Sequence, residues 1–173
     1  MLQIRRLAVD ELERLAEIDV AEKVTLSYRW QNRRLEAIQR DSERPSWNAG
    51  DWAHHVAEWQ QHLQPDLWLG AFDGERLVGA ASLRYQLRDK MAQLTTLHID
   101  RNSRRQGVAH QLTAEVKRLA KESGAEFMYV SATESQSAVG FYLSQGFVPT
   151  NEPDPRLFAL EPEDIHMICP LLN

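Results

Sequence analysis

The sequence predicts a mixed α/β fold, one sheet of about seven strands flanked by about four helices. Three observations carry this expectation. Two strand candidates joined by Asp73-Gly74 form an antiparallel hairpin; an apolar strand, an arginine-rich loop and a long amphipathic helix come next; then strand and helix alternate once more. Strands that begin antiparallel and later alternate with helices require a sheet of mixed direction.

Taken in order, Met1 to Leu7 reads as a first strand, with Leu2 and Ile4 set among arginines. Asp10 followed by Glu13 gives a capping-box pattern, and Leu12, Leu15 and Ile18 then mark a short helix. The arginine-rich stretch from Ala21 to Pro45 carries Tyr28 and Trp30 without a clear period and is expected to be partly helical. From Asp51, the residues Trp52, Val56, Trp59 and Leu63 form one apolar helical stripe that Pro65 ends.

Strands at Leu67 to Phe72 and Arg76 to Leu87 follow, and a further one at Leu94 to Asp100. The next helix repeats apolar residues at Val108, Leu112, Val116 and Leu119, one buried face. A strand at Phe127 to Thr133 leads to a helix that Ser135 caps and Gly146 stops. Strands at Phe147 to Thr150 and Ile165 to Leu171 close the chain around a Pro- and acid-rich loop.

Composition bounds the function. A chain of 173 residues suits a single domain, residues 1–173, with a sizeable core. The net charge of -5 argues against nucleic acid as a partner, so clustered arginines become a local basic site suited to one phosphorylated cofactor. Cys169 is the only cysteine, which excludes an intramolecular disulfide and makes a buried structural thiol the expected role. With no apolar signal region and no run of 18 apolar residues, a cytoplasmic protein without membrane contact is expected.

The chemistry concentrates at Arg104-Arg-Gln-Gly-Val-Ala109. This loop ends at a helix N-terminus, where unpaired N–H groups and the macrodipole favour an anion. Gly107 and Ala109 leave room for a phosphate to approach the main chain, with Arg101, Arg104 and Arg105 adding charge. No Gly-Lys-Ser/Thr follows, and the spacing misses the dinucleotide fingerprint, so the loop is neither of those phosphate cradles.

Downstream the chain reads Phe127-Met-Tyr-Val-Ser-Ala-Thr133, then Ser135-Gln-Ser-Ala138, then Phe141-Tyr142-Leu-Ser-Gln-Gly146-Phe147. Together with Leu97-His-Ile-Asp100 and the Arg-x-x-Gly-x-Ala loop, this order resembles the GNAT superfamily of acyl-CoA-dependent N-acyltransferases over roughly Asp66 to Phe147. The resemblance implies that the strands at Leu94 and Phe127 splay apart to admit the pantetheine arm of coenzyme A. It places main-chain cofactor contacts at Leu97, His98 and Ile99, and pyrophosphate contacts at Arg104, Arg105, Gln106, Gly107, Val108 and Ala109. It also puts Ser135 at the cofactor, in the position where most relatives have asparagine, and Tyr142 beside the coenzyme A sulfur as general acid.

The implied activity is transfer of an acetyl group from acetyl-CoA to a primary amine by direct attack, with a small-molecule or peptide amine as partner. An N–H near Ile99 would bind the oxyanion. A phenol near pKa 10 and a thiol near 8.5 make full proton transfer uphill by about 2 kcal/mol, so Tyr142 would act mainly by hydrogen bonding to the departing sulfur. Relatives often dimerise, which makes a homodimer an expectation of the resemblance alone.

The general base is not supplied by the usual glutamates, whose positions read Gln93 and Val130. His98, Glu134, Glu161, Glu163, Asp164 and His166 are the alternatives, directly or through water. That gap motivates a second reading, a non-catalytic acyl-CoA-binding module; acetylation of a protein amine is a third. His54, Glu58 and His62 share one helix face, read as solvated rather than metal-binding; no metal is expected. Trp52 and Trp59 are read as core, Trp30 and Trp47 as candidate acceptor contacts. The acidic residues Glu152, Asp154, Glu161, Glu163 and Asp164 border the acceptor side and would favour a cationic amine.

Overall fold

The computed structural model describes residues Met1–Leu172. Its main sheet has seven strands: β1 (Leu2–Leu7), β4 (Leu67–Asp73), β5 (Arg76–Arg88), β6 (Met91–Ile99), β7 (Phe127–Ala132), β9 (Ile165–Pro170) and β8 (Val148–Pro149), in that spatial order. A separate two-stranded sheet pairs β2 (Glu22–Gln31) with β3 (Arg34–Arg44). Among the described residues only β6 and β7 run parallel; every other strand pair is antiparallel. The described residues also form four α-helices: α1 (Ala49–His62), α2 (Val108–Glu122), α3 (Gln136–Ser144) and α4 (Pro155–Leu160).

The stretch from Ala21 to Pro45 is this β2–β3 hairpin, not partly helical as expected. Val24, Leu26, Tyr28 and Trp30 do alternate with polar residues, but a register shift after Val24 and the dense charge hide the period. Asn32 and Arg33 form the two-residue turn with φ of 53° and 58°, the paired left-handed geometry that matches strand twist. Asn32 suits that turn; Arg33 gives no sequence signal for it.

Three further expectations need correction. The first helix is a 3-10 segment, Val9–Glu17, and its cap is Ala8, whose N–H donates to the Glu11 carboxylate at 2.8 Å, so Asp10 and Glu13 form no capping box. The spacing of three between Leu12, Leu15 and Ile18 fits the three-residue turn. The Pro- and acid-rich loop holds α4, which starts because Asp154 accepts from the N–H groups of Arg156 and Leu157 while Pro155 pre-sets the first helical φ. Helix α1 begins before Asp51, capped by Asn48 and Asp51 reciprocally at 2.8 and 3.0 Å.

One face of the sheet packs against α2 and α3. Val108, Leu112, Val116, Val139 and Tyr142 join Leu69, Ala81, Leu94, Met128 and Met167 in the larger core. On the other face, Leu12, Leu15 and Trp52 cover Leu7, Trp68, Phe72 and Leu77. The alternation of Leu77 and Val78 between these two cores shows β5 buried on both faces, which explains its unbroken apolar run.

Candidate active site

The sheet opens between β6 and β7. The two pair only from Met91 to Gln93 against Phe127 to Tyr129. Against β5, Thr95 is an extra residue, because Leu94 pairs with Leu83 and Thr96 with Ser82; its hydroxyl and that of Thr96 lie 2.5 and 2.6 Å from Ser82 Oγ. Such a bulge bends a strand, and this one lies where β6 leaves β7. Asp100 N–H donates to Val78 on the β5 side, so strand alternation turns the N–H groups of Leu97 and Ile99 toward the open edge, and that of His98 toward β5. The side chain of His98 faces the opposite layer.

The edge runs into the N-terminus of α2. Gly107 caps that helix in the left-handed region, φ 82°, and a Cβ there would meet nothing nearer than Gln111 Nε2 at 4.0 Å. The main chain is therefore open to a ligand at this point. The nearby arginines point in different directions. Arg104 turns inward to the carbonyls of Ala21 (3.0 Å) and Ile99 (3.4 Å), Arg101 pairs with Asp19 at 3.3 Å, and Arg105 stays exposed. Buried Asp100 fixes the junction, accepting from Asp19 N–H, Asn102 N–H and Arg76. Gln106 bonds the Asn102 carbonyl at 3.1 Å, and Val108 is core.

Across the opening, Ser135 caps α3 and is buried, its Oγ 3.2 Å from Ser137 Oγ and 3.4 Å from Ala138 N–H. Tyr142 shares the core cluster with Leu97, Ile99 and Ala138, stacking edge-on against Phe141 and Phe147. Its hydroxyl has no hydrogen-bond partner among the described residues. Burial, with the Asp164 carboxyl nearby, pushes the phenol well above its ordinary value, so it keeps its proton.

The model of the acetyltransferase (GNAT) domain family matches residues 44–156. The chain belongs to the GNAT acetyltransferase family. Among solved structures, the fold is similar to nourseothricin acetyltransferase, at TM-score 0.76 and 17% identity over 99% of each chain. It is also similar to a candidate streptothricin acetyltransferase from Bacillus anthracis in complex with acetyl coenzyme A, at TM-score 0.72 and 19% identity over 97% of this chain and 96% of that one. The ribosomal-protein-S18-alanine N-acetyltransferase from Escherichia coli gives TM-score 0.62 and 16% identity over 100% and 96% of the two chains. No curated protein sequence matches the chain.

In this GNAT acetyltransferase the base candidates scatter. Gln93 is buried at the last position where β6 pairs with β7, its Oε1 without a partner among the described residues, and Val130 is core. His98 sits among Trp47, Trp52 and Trp59, with ring centroids 5.6, 5.4 and 5.1 Å away. Burial, then His55 and Arg104, lower its pKa to about 4, leaving a neutral imidazole of weak basicity. Trp47, expected in the acceptor pocket, also stacks on His55 at 4.0 Å. Trp52 and Trp59 fill core as expected.

His166 is buried and fully engaged. Its Nε2–H donates to the Glu161 carbonyl at 3.0 Å, which makes Nδ1 the acceptor for the Tyr129 hydroxyl at 2.6 Å. Glu134 pairs with Arg44 at 3.4 Å. Burial and the adjacent Glu161 push Asp164 far above the carboxylate range, so it carries a proton at neutral pH. Sequence reasoning missed this, because it read Asp164 as one ionised member of the acid-rich loop.

A cavity of about 460 Å³ lies between the β2–β3 hairpin and the segment joining β8 to β9. Tyr28, Trp30, Glu134, Phe158, Asp164 and His166 are among its walls. Trp30 lines this cavity, its Nε1–H held by Asn151 Oδ1 at 3.0 Å. The hairpin is fastened to the end of β7, where Tyr28 N–H donates to the Glu134 carbonyl at 2.7 Å. Of the five acidic loop residues, only Glu163 and Asp164 reach the cavity. His62 Nε2 lies 3.5 Å from Glu58 on an exposed face of α1, and among the described residues no group of three metal-ligating side chains occurs. No helix among them is long and apolar enough to cross a membrane.

Proposed function

We propose that the chain, acting as one domain over residues 1–173, transfers an acetyl group from acetyl-CoA to a primary amine by direct attack. The observation that carries this reading is the open β6 edge. Its free N–H groups at Leu97 and Ile99 run straight to an uncovered helix N-terminus at Gly107, a continuous donor track for an amide-bearing arm ending in a pyrophosphate. The fit of these donors to acetyl-CoA rests on the main chain from Arg104 to Ala109; among the side chains, Arg105 supplies the exposed charge.

The amine lone pair attacks the thioester carbon, the C–N bond forms and the C–S bond breaks. The N–H of Ile99, pre-aimed at the opening, stabilises the oxyanion. Tyr142 O–H donates to the departing sulfur, and its raised pKa keeps that donor protonated across the working pH range. The proton lost by the amine passes through cavity water to Glu134, the carboxylate between the fork and the cavity. The amine enters from the cavity beneath the hairpin, on the side away from α2.

The deciding experiment mixes purified protein, acetyl-CoA and a panel of polyamines, aminosugars, amino acids and short peptides, following free thiol and confirming acetylated product by mass. Amine-dependent turnover is expected. Silence across the panel, with acetyl-CoA shown to bind, would instead favour a non-catalytic acyl-CoA-binding module.

A further inference from the structure

The β2–β3 hairpin lies almost wholly outside the span 44–156 that identifies the family, yet it builds one wall of the cavity. Three of its arginines, Arg29, Arg33 and Arg40, line that cavity. Among the described residues none of the three has a carboxylate within ion-pair distance, although Arg34 and Arg44 of the same hairpin do, with Glu36 and Glu134.

The opposite wall does not balance this charge. Glu134 already faces Arg44, and Asp164 is held protonated by burial and by Glu161. Glu163 is the one remaining carboxylate at the cavity. Three unpaired guanidinium groups face Glu163 and the single charge shared by Asp164 and Glu161, which leaves an excess of positive charge at this site in an acidic protein, the reverse of what the acidic loop implies from sequence. A polycation entering here meets like charge. An amine with an anion at its far end places that anion on the arginines and leaves the amine pointing to the fork.

We infer that the acceptor is an amine that also carries an anionic group, a carboxylate or a phosphate, received by Arg29, Arg33 and Arg40. The inference rests on the transferase reading and specifies its acceptor. Guanidinium groups recognise either anion through paired N–H donors, so the shared chemistry is fixed and the particular anion is an arm of the test.

The experiment compares matched acceptors, 6-aminohexanoate with cadaverine and glucosamine 6-phosphate with glucosamine, at two salt concentrations. The anion-bearing member of at least one pair is expected to show about tenfold higher kcat/KM, chiefly through KM, with the advantage shrinking as salt rises. The pair that responds distinguishes carboxylate from phosphate. In the double variant Arg29→Glu and Arg40→Glu the order should reverse toward cadaverine and glucosamine, while calorimetric acetyl-CoA binding stays as in the parent. Equal rates within both pairs, or a preference for the purely cationic members in the parent protein, would overturn the inference and leave the transferase reading standing. Absence of turnover with every amine would overturn that reading instead. Binding of N-acetyl-6-aminohexanoate against N-acetylcadaverine then still decides whether the arginines select an anion.

Discussion

The Tyr129 hydroxyl donates to Nδ1 of His166 at 2.6 Å and accepts the N–H of Asp154 at 3.0 Å, while His166 Nε2–H holds the Glu161 carbonyl at 3.0 Å. Asp154 and Glu161 are the N-cap and C-cap of α4. One buried tyrosine–histidine pair thus ties both ends of the short helix that carries Phe158 to the cavity. Tyr129→Phe leaves the imidazole Nδ1 only its longer contact to Ser131 Oγ at 3.3 Å and strands the partly buried Asp154 N–H, at a cost of roughly 1–3 kcal/mol. Urea unfolding should show that loss, and hydrogen exchange should show faster exchange at Leu157 and Phe158. Unchanged protection there would mean that α4 is held by packing alone.

Tyr142→Phe should lower kcat by roughly 10- to 100-fold with little change in the KM for acetyl-CoA, because it removes a donor used as charge develops on sulfur. The raised phenol pKa predicts a companion result. The parent pH–rate profile should show no loss of activity at high pH assignable to this tyrosine up to about pH 10, its ordinary pKa. A variant as fast as the parent would remove Tyr142 from the acid role.

Cys169 is buried on β9, its Sγ 3.7 Å from the Gln145 carbonyl, on the larger core with α2 and α3. Direct attack by the amine needs no thiol on the enzyme. Cys169→Ala should lose roughly 1 kcal/mol of stability from packing and keep its turnover. Loss of acetyl transfer in a variant that still folds would point to an acyl-enzyme.

The titration of His98 sets an acid limit on stability. Its folded pKa is about 4, below the ordinary 6.5, so below pH 6.5 the unfolded chain binds a proton that the folded chain refuses. Stability contributed by this site is present above pH 6.5 and falls as the pH drops toward 4. Thermal melts between pH 7 and 4 should show the decline. In His98→Phe, which keeps a ring against Trp47, Trp52 and Trp59, the slope over that window should flatten. An identical slope would assign the acid sensitivity to other groups.

Much of the sheet was legible because each strand from Leu67 onward answers to one dominant pattern, either an apolar run or a turn signal such as Asp73-Gly74. The β2–β3 hairpin was not, since a bulge inserts an extra residue in β3 and Arg33 occupies a left-handed position that sequence assigns to Gly or Asn. At the site, the residues whose main chain matters were readable as a motif from Arg104 to Ala109. Ionisation was not readable. Asp164 and His98 carry the pKa values of their burial and neighbours, which are tertiary properties: one carboxyl stays neutral in an acid-rich segment, and one imidazole on β6 packs against three tryptophans at and just before α1. The charge of the cavity therefore emerged only with the fold.

Gly107 offers the most direct test of the phosphate cradle. Its φ of 82° is left-handed, so Gly107→Ala is strained there and should cost about 1 kcal/mol of stability. The added methyl collides with nothing, because the space in front of the main chain is open for 4.0 Å. A larger β-branched side chain is both strained and bulky, and would stand where the phosphate approaches. Gly107→Ala should therefore fold and bind acetyl-CoA somewhat more weakly, whereas Gly107→Val should lose most binding while still melting cooperatively. Calorimetric titration with coenzyme A and with dephospho-coenzyme A separates the pyrophosphate from the 3′-phosphate, and both ligands should lose affinity in parallel. If Gly107→Val binds coenzyme A as the parent does, the pyrophosphate does not lie on the N-terminus of α2, and the donor track proposed along β6 ends elsewhere.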